Sequence, residues 1–294
     1  MAAQGNKTWT VKDVLFWTSD YFTEKEISSP HLNAELLIAH VLDCSRLDLY
    51  LKYDKPLSDA ERETIKNLIK KRITHYPLQY ILGEVEFYGN ALKVEEGVLI
   101  PRPETELLID SVLTYIKENA RSEWKLLDIG TGSGNIPISL SIALSKSNVN
   151  INITASDISE KSLSIAQKNS EIYDLKNITF IQSNLFDNIN GNFNCIISNP
   201  PYISEQEFPN LPVEIKDFEP KLALLAQHNG LEFYDKILQD VGKHLDKDGV
   251  IFFEIGASQK QDVSSLAERY NFKIIDSKKD YNDFDRVLVL SKNR

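Results

Sequence analysis

The sequence predicts an α/β protein, a Rossmann-like doubly wound sheet domain preceded by a small helical domain. Three observations predict it. The apolar run Lys125-Leu126-Leu127-Asp128-Ile129 leads into Gly130-Thr131-Gly132-Ser133-Gly134 and then a helical pattern, Ile136 to Leu144. A second strand pattern, Ile151 to Ser156, ends on Asp157. A later one, from Phe193, stops abruptly at Asn199-Pro200-Pro201-Tyr202. Strand patterns alternating with helical ones give a parallel sheet. Ligands of such sheets bind at the carboxyl ends of the strands.

In chain order, residues from about Thr10 to Tyr76 read as helices. Val11, Val14, Leu15 and Phe16 start one amphipathic pattern. Pro30 opens a second, carried by Leu32, Leu36, Leu37 and Leu42. Ser58-Asp59-Ala60-Glu61 is a capping-box pattern before a helix with Ile65, Leu68, Ile69 and Ile73 on its apolar face. Lys66, Lys70, Lys71 and Arg72 fall opposite, as a solvated face or a docking surface. Pro77 to Gly83 reads as leaving the helices. Val85 to Val94, with a Gly89-Asn90 turn, reads as a hairpin. Pro101-Arg102-Pro103 makes a rigid loop before a helix from Glu104 to Lys117.

The sheet strands are expected at 125–129, 151–156, 178–181, 193–198, 250–256, 272–275 and 287–290, the last two as an antiparallel edge hairpin. Ile203 to Asn229 reads as a long irregular stretch facing the substrate. Asp246 to Gly249 reads as a turn. The resulting domains are 1–80 (helical recognition), 81–103 (hairpin connector) and 104–294 (catalytic).

A chain of 294 residues has room for a small and a large domain. Its net charge of −10 argues against loose, phosphate-driven binding, so no direct nucleic-acid partner is expected. The two cysteines form no Cys-x-x-Cys pair, and the five histidines lack metal-ligand spacing, so no metal is expected. Met1 to Thr10 lacks the apolar core of a signal peptide, and no apolar run approaches a membrane span. A cytoplasmic enzyme with no membrane partner follows as the expectation.

The chemistry concentrates at Asn199-Pro200-Pro201-Tyr202. Two prolines stiffen the loop and remove two backbone donors. An amide or aryl amine nitrogen is a poor nucleophile because its lone pair is conjugated. The Asn199 side-chain carbonyl and the Pro200 backbone carbonyl could accept its N–H hydrogens and aim the lone pair at an electrophile. Tyr202 could stack on the flat group. Glycines at 130, 132 and 134 let the backbone approach a ligand closely. An acidic group at Asp157 suits a ribose diol, with a helix N-cap as its bland alternative.

These motifs resemble a Class I S-adenosylmethionine-dependent amino-methyltransferase. Pro77-Leu78-Gln79-Tyr80-Ile81-Leu82-Gly83-Glu84, Phe87-Tyr88-Gly89, Ile100-Pro101-Arg102-Pro103-Glu104-Thr105-Glu106, Glu219-Pro220, Glu254-Ile255-Gly256 and Asp285-Arg286-Val287 narrow it. With them, nearly the whole chain is similar to the peptide chain release factor glutamine methyltransferase family. The resemblance implies a seven-stranded sheet and methyl transfer from S-adenosyl-L-methionine. The acceptor would be the side-chain amide nitrogen (N5) of the glutamine in the Gly-Gly-Gln loop of class 1 release factors. It implies that Gly130, Thr131, Gly132, Ser133 and Gly134 line the methionine end of the cofactor, Asp157 its ribose and Leu185 its adenine. Asn199 would touch both cofactor and glutamine, and Pro200, Pro201 and Tyr202 would complete the glutamine pocket. Arg102 and Glu104 would shape the far wall of the cofactor pocket. Two other readings stay open at this point: N-methylation of adenine or guanine in nucleic acid, and a dinucleotide-dependent oxidoreductase. The second shares the glycine loop and acidic residue but leaves Asn199 to Tyr202 unexplained.

Overall fold

The structure is a computed structural model that describes residues 8–119, 121–145, 147 and 149–293. The chain divides into two compact units, Met1–Gly83 with Val213–Phe218, and Glu84–Pro212 with Glu219–Arg294.

The first unit is helical: α1 (Val11–Glu24), α2 (Pro30–Val41), α3 (Arg46–Leu51), α4 (Asp59–Arg72) and α5 (Leu78–Leu82). Capping boxes open three of them, at Thr10/Asp13, Ser45/Asp48 and the predicted Ser58/Glu61. Each satisfies backbone donors that a helix start leaves orphaned. Leu15, Phe22, Leu37, Ile38, Leu49 and Ile65 form the buried core. Two expectations are corrected here. Residues 78–82 form one helical turn, closed by Gly83 at φ +76°. Arg72 is not on a solvated face but is 1% exposed. Its guanidinium donates to Glu214 (2.7 Å), Asn33 Oδ1 (2.7 Å) and the Tyr76 carbonyl (3.2 Å). A cation out of water needs such partners.

The second unit opens with the hairpin β1 (Glu84–Phe87) and β2 (Asn90–Lys93). Its turn is Tyr88-Gly89, one residue earlier than expected, with φ +50° and +70°. Positive φ at both central residues matches the twist of a two-residue hairpin loop. After it come α6 (Thr105–Glu118), β3 (Glu123–Ile129), α7 (Asn135–Leu144), β4 (Asn150–Asp157), α8 (Glu160–Ile172), β5 (Ile178–Gln182) and β6 (Phe193–Ser198). The stretch expected to be irregular is instead folded into short pieces: a 3₁₀ turn at Phe208–Asn210, α9 (Val213–Phe218), a second 3₁₀ turn at Lys221–Ala223 and α10 (Gln227–Gly230). The chain then runs through α11 (Glu232–Val241), β7 (Leu245–Glu254), α12 (Lys260–Arg269), β8 (Phe272–Lys279) and β9 (Asp285–Lys292). Residues 246–249, expected as a turn, lie within β7. They fall where the pairing with β6 jumps from Phe193↔Leu245 to Cys195↔Val250.

The seven-stranded sheet has the order β5-β4-β3-β6-β7-β9-β8. β3 to β7 are parallel, and β9 runs antiparallel to β7 and β8. Side chains alternate between two cores, as the period of a strand requires. Leu126, Ile197, Phe252 and Val289 join α6 and α7 on one face. Leu127, Ile196, Phe253 and Leu290 join α11 and α12 on the other. Burial on both faces explains why these strands read as unbroken apolar runs. Among the described residues no helix is long and apolar enough to cross a membrane.

Candidate functional site

The chain moves outward from β3 through β4 to β5, then returns to place β6 on the other side of β3. That reversal is the switch point at which open α/β sheets bind ligands. Ile129 at the end of β3 lies opposite Ser198 at the end of β6. The glycine loop and the Asn199 loop therefore leave the sheet side by side.

They enclose one cavity of about 270 Å³, lined by Gly130, Gly132, Asp157, Leu185, Asn199, Pro200 and Pro201 among others. Gly130 and Gly132 adopt φ +77° and +56°, and an added Cβ at either would meet nothing within 4 Å. The loop thus presents bare backbone to open space. Gly134 differs: its Cβ would lie 2.9 Å from Ile138 Cδ1 and 3.0 Å from Ala166 Cβ. It lets α7 pack against α8 and does not line the cavity.

Asp157 holds the loop in place. Its carboxylate accepts from the Gly132 N–H (2.9 Å) and the Ser159 N–H (2.8 Å). Burial raises its pKa, and those two N–H groups oppose the rise. The N-cap of α8 is Ser159, not Asp157. Leu185 borders the cavity at φ +51°. A left-handed leucine costs roughly 1–2 kcal/mol, and the Ser183 hydroxyl stabilises the turn by donating to the Leu185 carbonyl (2.9 Å).

Thr131 and Ser133 are buried behind the loop and do not line the cavity; the Thr131 hydroxyl lies beside the Asp128 carboxylate. Tyr202 does not line the cavity; it packs against the α11–α12 core, and its carbonyl accepts from Gln259 Nε2 (3.0 Å). Burial raises the pKa of its phenol. Arg102 and Glu104 also stand back from the cavity. Arg102 pairs with Glu219 (2.6 Å), which also accepts from the Ile100 N–H (3.2 Å). This anchors the segment whose Pro220, Leu222 and Ala223 form a cavity wall.

Sequence reasoning missed Phe233 and Lys236 of α11, which border the cavity. Their i,i+3 spacing puts them on one helix face, but no local motif marks that face as facing a ligand. It also gave Asp128 no role. Asp128 is fully buried, and among the described residues its carboxylate makes no hydrogen bond of good geometry, although the Thr131 hydroxyl beside it holds its pKa down. Burial, with Asp157 nearby, pushes its pKa up to about 7. Asp128 does not line the cavity; it is a buried acid behind the start of the glycine loop, two residues before Gly130.

These residues fit S-adenosylmethionine: bare glycine backbone, the acidic Asp157 at the end of β4 and apolar Leu185 after β5. Together with a parallel sheet into which one antiparallel strand, β9, is inserted between β7 and the edge strand β8, they define a Class I methyltransferase. A methyltransferase structure from Pyrococcus furiosus shares the fold, with a TM-score of 0.50 and 18% identity, covering 69% of this chain and 89% of that one. The profile described as PrmC N-terminal domain matches residues 13–83, and that of the methyltransferase small domain matches 104–214. The release factor glutamine methyltransferase of Rhodopirellula baltica is 38% identical over 99% of this chain and 100% of its own length. That of Chlorobaculum tepidum is 38% identical over 96% and 97%. The chain belongs to the release factor glutamine methyltransferase family.

Proposed function

We infer that the protein transfers a methyl group from S-adenosylmethionine to the side-chain amide nitrogen (N5) of the Gly-Gly-Gln glutamine of class 1 release factors. The observation that carries this reading is the shared cavity. Gly130, Gly132 and Asp157 line it together with Asn199, Pro200 and Pro201, so methyl donor and acceptor amide meet in one space.

The cofactor supplies a methyl group on an electrophilic sulfonium, so no strong base is needed. Asn199 and Pro200 accept the N–H hydrogens of the glutamine amide and direct its lone pair at the methyl carbon. Positive charge developing on the glutamine nitrogen would meet these oriented dipoles. The amide proton then leaves to solvent, because an N-alkylated amide cation is strongly acidic. Pro201, Leu222 and Phe233 exclude water around the reacting atoms. Tyr202 supports the loop from behind.

The test mixes the protein with a release factor and methyl-labelled S-adenosylmethionine, followed by peptide mass mapping. One methyl on the Gly-Gly-Gln glutamine is expected. It should be absent with a Gln→Ala release factor and lost with Asn199→Ala, which should slow turnover far more than it weakens cofactor binding. Label on ribosomal RNA or DNA, with none on the release factor, would overturn the substrate.

A further inference from the structure

An asparagine amide has two faces of opposite hydrogen-bonding sense. For Asn199 to accept from a substrate amide, its oxygen must face the cavity and its nitrogen must face away. A flipped side chain would set N–H against N–H. Something has to fix the choice.

Asn199 Nδ2 donates to Thr105 Oγ1 at 3.1 Å. Thr105 Oγ1 in turn donates to Glu254 Oε2 at 2.6 Å. Thr105 is 1% exposed and Glu254 0%. Neither lines the cavity. Thr105 is the first residue of α6, set by the rigid Pro101-Arg102-Pro103 loop through a bond from its N–H to the Arg102 carbonyl (3.0 Å). Glu254 ends β7, and its carbonyl accepts from the Tyr234 hydroxyl (2.9 Å).

A hydroxyl both donates and accepts, so alone it would satisfy either face of the amide. An ionised carboxylate only accepts. With Glu254 at one end, the Thr105 proton is committed to Oε2, and its lone pairs are left for the Asn199 nitrogen. We propose that Thr105 and Glu254 are positioning residues of the methyl transfer, locking Asn199 with its carbonyl oxygen toward the acceptor amide. This rests on the function inferred above and deepens it.

The charge on Glu254 carries the direction. Burial, with Glu104 adding, raises its pKa to about 7, while Thr105, Arg286 and Asn199 oppose the rise. Protonated Glu254 can donate to Thr105, whose proton can then turn to the Asn199 oxygen and favour the wrong face. Turnover at saturating cofactor should therefore fall as pH drops through about 7.

The test compares Thr105→Val, Thr105→Ser and Glu254→Gln in the full chain. Thr105→Val is nearly isosteric and should lower kcat by about ten- to a hundredfold. Its KM for S-adenosylmethionine should stay unchanged. Thr105→Ser should restore the rate. Glu254→Gln offers a donor as well as an acceptor and carries no titrating proton, so it should mimic the protonated acid, lowering kcat at pH 8 and removing the acid limb of the kcat profile. A second readout needs no substrate. The Asn199 side-chain NH₂ protons, seen by NMR in the protein alone, should resist solvent exchange and lose that protection in Thr105→Val. Unchanged kcat in Thr105→Val overturns the proposal, as do an equal loss in cofactor binding and unprotected NH₂ protons in the parent protein. A parent protein that shows protected NH₂ protons but methylates no release factor would overturn the substrate and leave the positioning intact.

Discussion

Gly230 holds φ +85°, and a Cβ added there would lie 2.2 Å from the Tyr202 carbonyl oxygen and 2.5 Å from Gln259 Nε2. Those two atoms bond to each other at 3.0 Å and tie down the end of the Asn-Pro-Pro-Tyr loop. Gly230→Ala must therefore bear both a left-handed alanine and a displaced loop. The conformational part alone costs roughly 1–2 kcal/mol. Gly191 gives the comparison, since it has φ +91° with nothing within 4 Å of an added Cβ. Gly191→Ala should lower stability modestly and leave turnover alone, while Gly230→Ala should lower both. Denaturant melts with steady-state kinetics on the two variants check this, and equal kinetics would remove the loop from the explanation. The residue scale also shows what a sequence discloses. Gly130 and Gly132 stand out because strand, glycines and helix are contiguous. Gly230 reads only as a helix start, because the atom that forbids a side chain belongs to Tyr202, 28 positions earlier. Asp128 sits within a visible motif, yet its complete burial is a property of the packed sheet, not of spelling.

Among the elements, long periodic ones were legible and short ones were not. α1, α4, α7 and the seven sheet strands carry a repeat or an unbroken apolar run. The six-residue α3 and α9 are too short to be stable alone or to show a period, so the stretch around α9 reads as irregular. What holds α9 is Arg72, 142 positions from Glu214, aided by Tyr76 packed edge-on to Phe218 at 5.2 Å. Arg72→Met should remove the donors of Glu214, Asn33 and the Tyr76 carbonyl at once. Glu214 keeps some access to water, so the expected loss is about 2–4 kcal/mol, at the lower end for broken buried pairs. Hydrogen exchange of the 213–218 amides in the full chain should accelerate at least about tenfold, in line with that loss. Exposed Lys70→Met, on the same helix, should leave those amides as they were. Matching exchange in both variants would mean that α9 is held by something other than the buried pair.

At the scale of the whole molecule, the α/β architecture was legible because every central strand is buried on both faces and the ligand loops follow two of them directly. The price of that architecture is acid groups at the strand ends with no water around them. Asp128 and Glu254 each titrate at about 7 in the folded chain, against roughly 4 for exposed carboxylates. Between those values the folded chain binds more protons than the unfolded one, so the free energy of unfolding falls as pH rises. Glu61, held at about 2 by the Ser58 backbone and hydroxyl and by Lys55, works the other way. Its contribution is present above the unfolded pKa and is lost only in strong acid. Stability without cofactor should thus peak near pH 5 and decline toward pH 8, by up to about 3 kcal/mol for each buried acid as an order of magnitude. Asp128→Asn should roughly halve the decline, leaving the Glu254 part, and raise stability at pH 8. If the charge on Asp128 favours the cationic cofactor from behind the glycine loop, cofactor affinity in the parent protein should rise as pH passes through about 7, because the ionised form attracts a cation. The same titration on Asp128→Asn should be weaker and flat. Calorimetric melts from pH 5 to 8 and binding isotherms at the same points check both. A parent protein that gains stability toward pH 8 would mean that Asp128 is already ionised and paired. An unchanged affinity profile in Asp128→Asn would remove the Asp128 charge from cofactor binding.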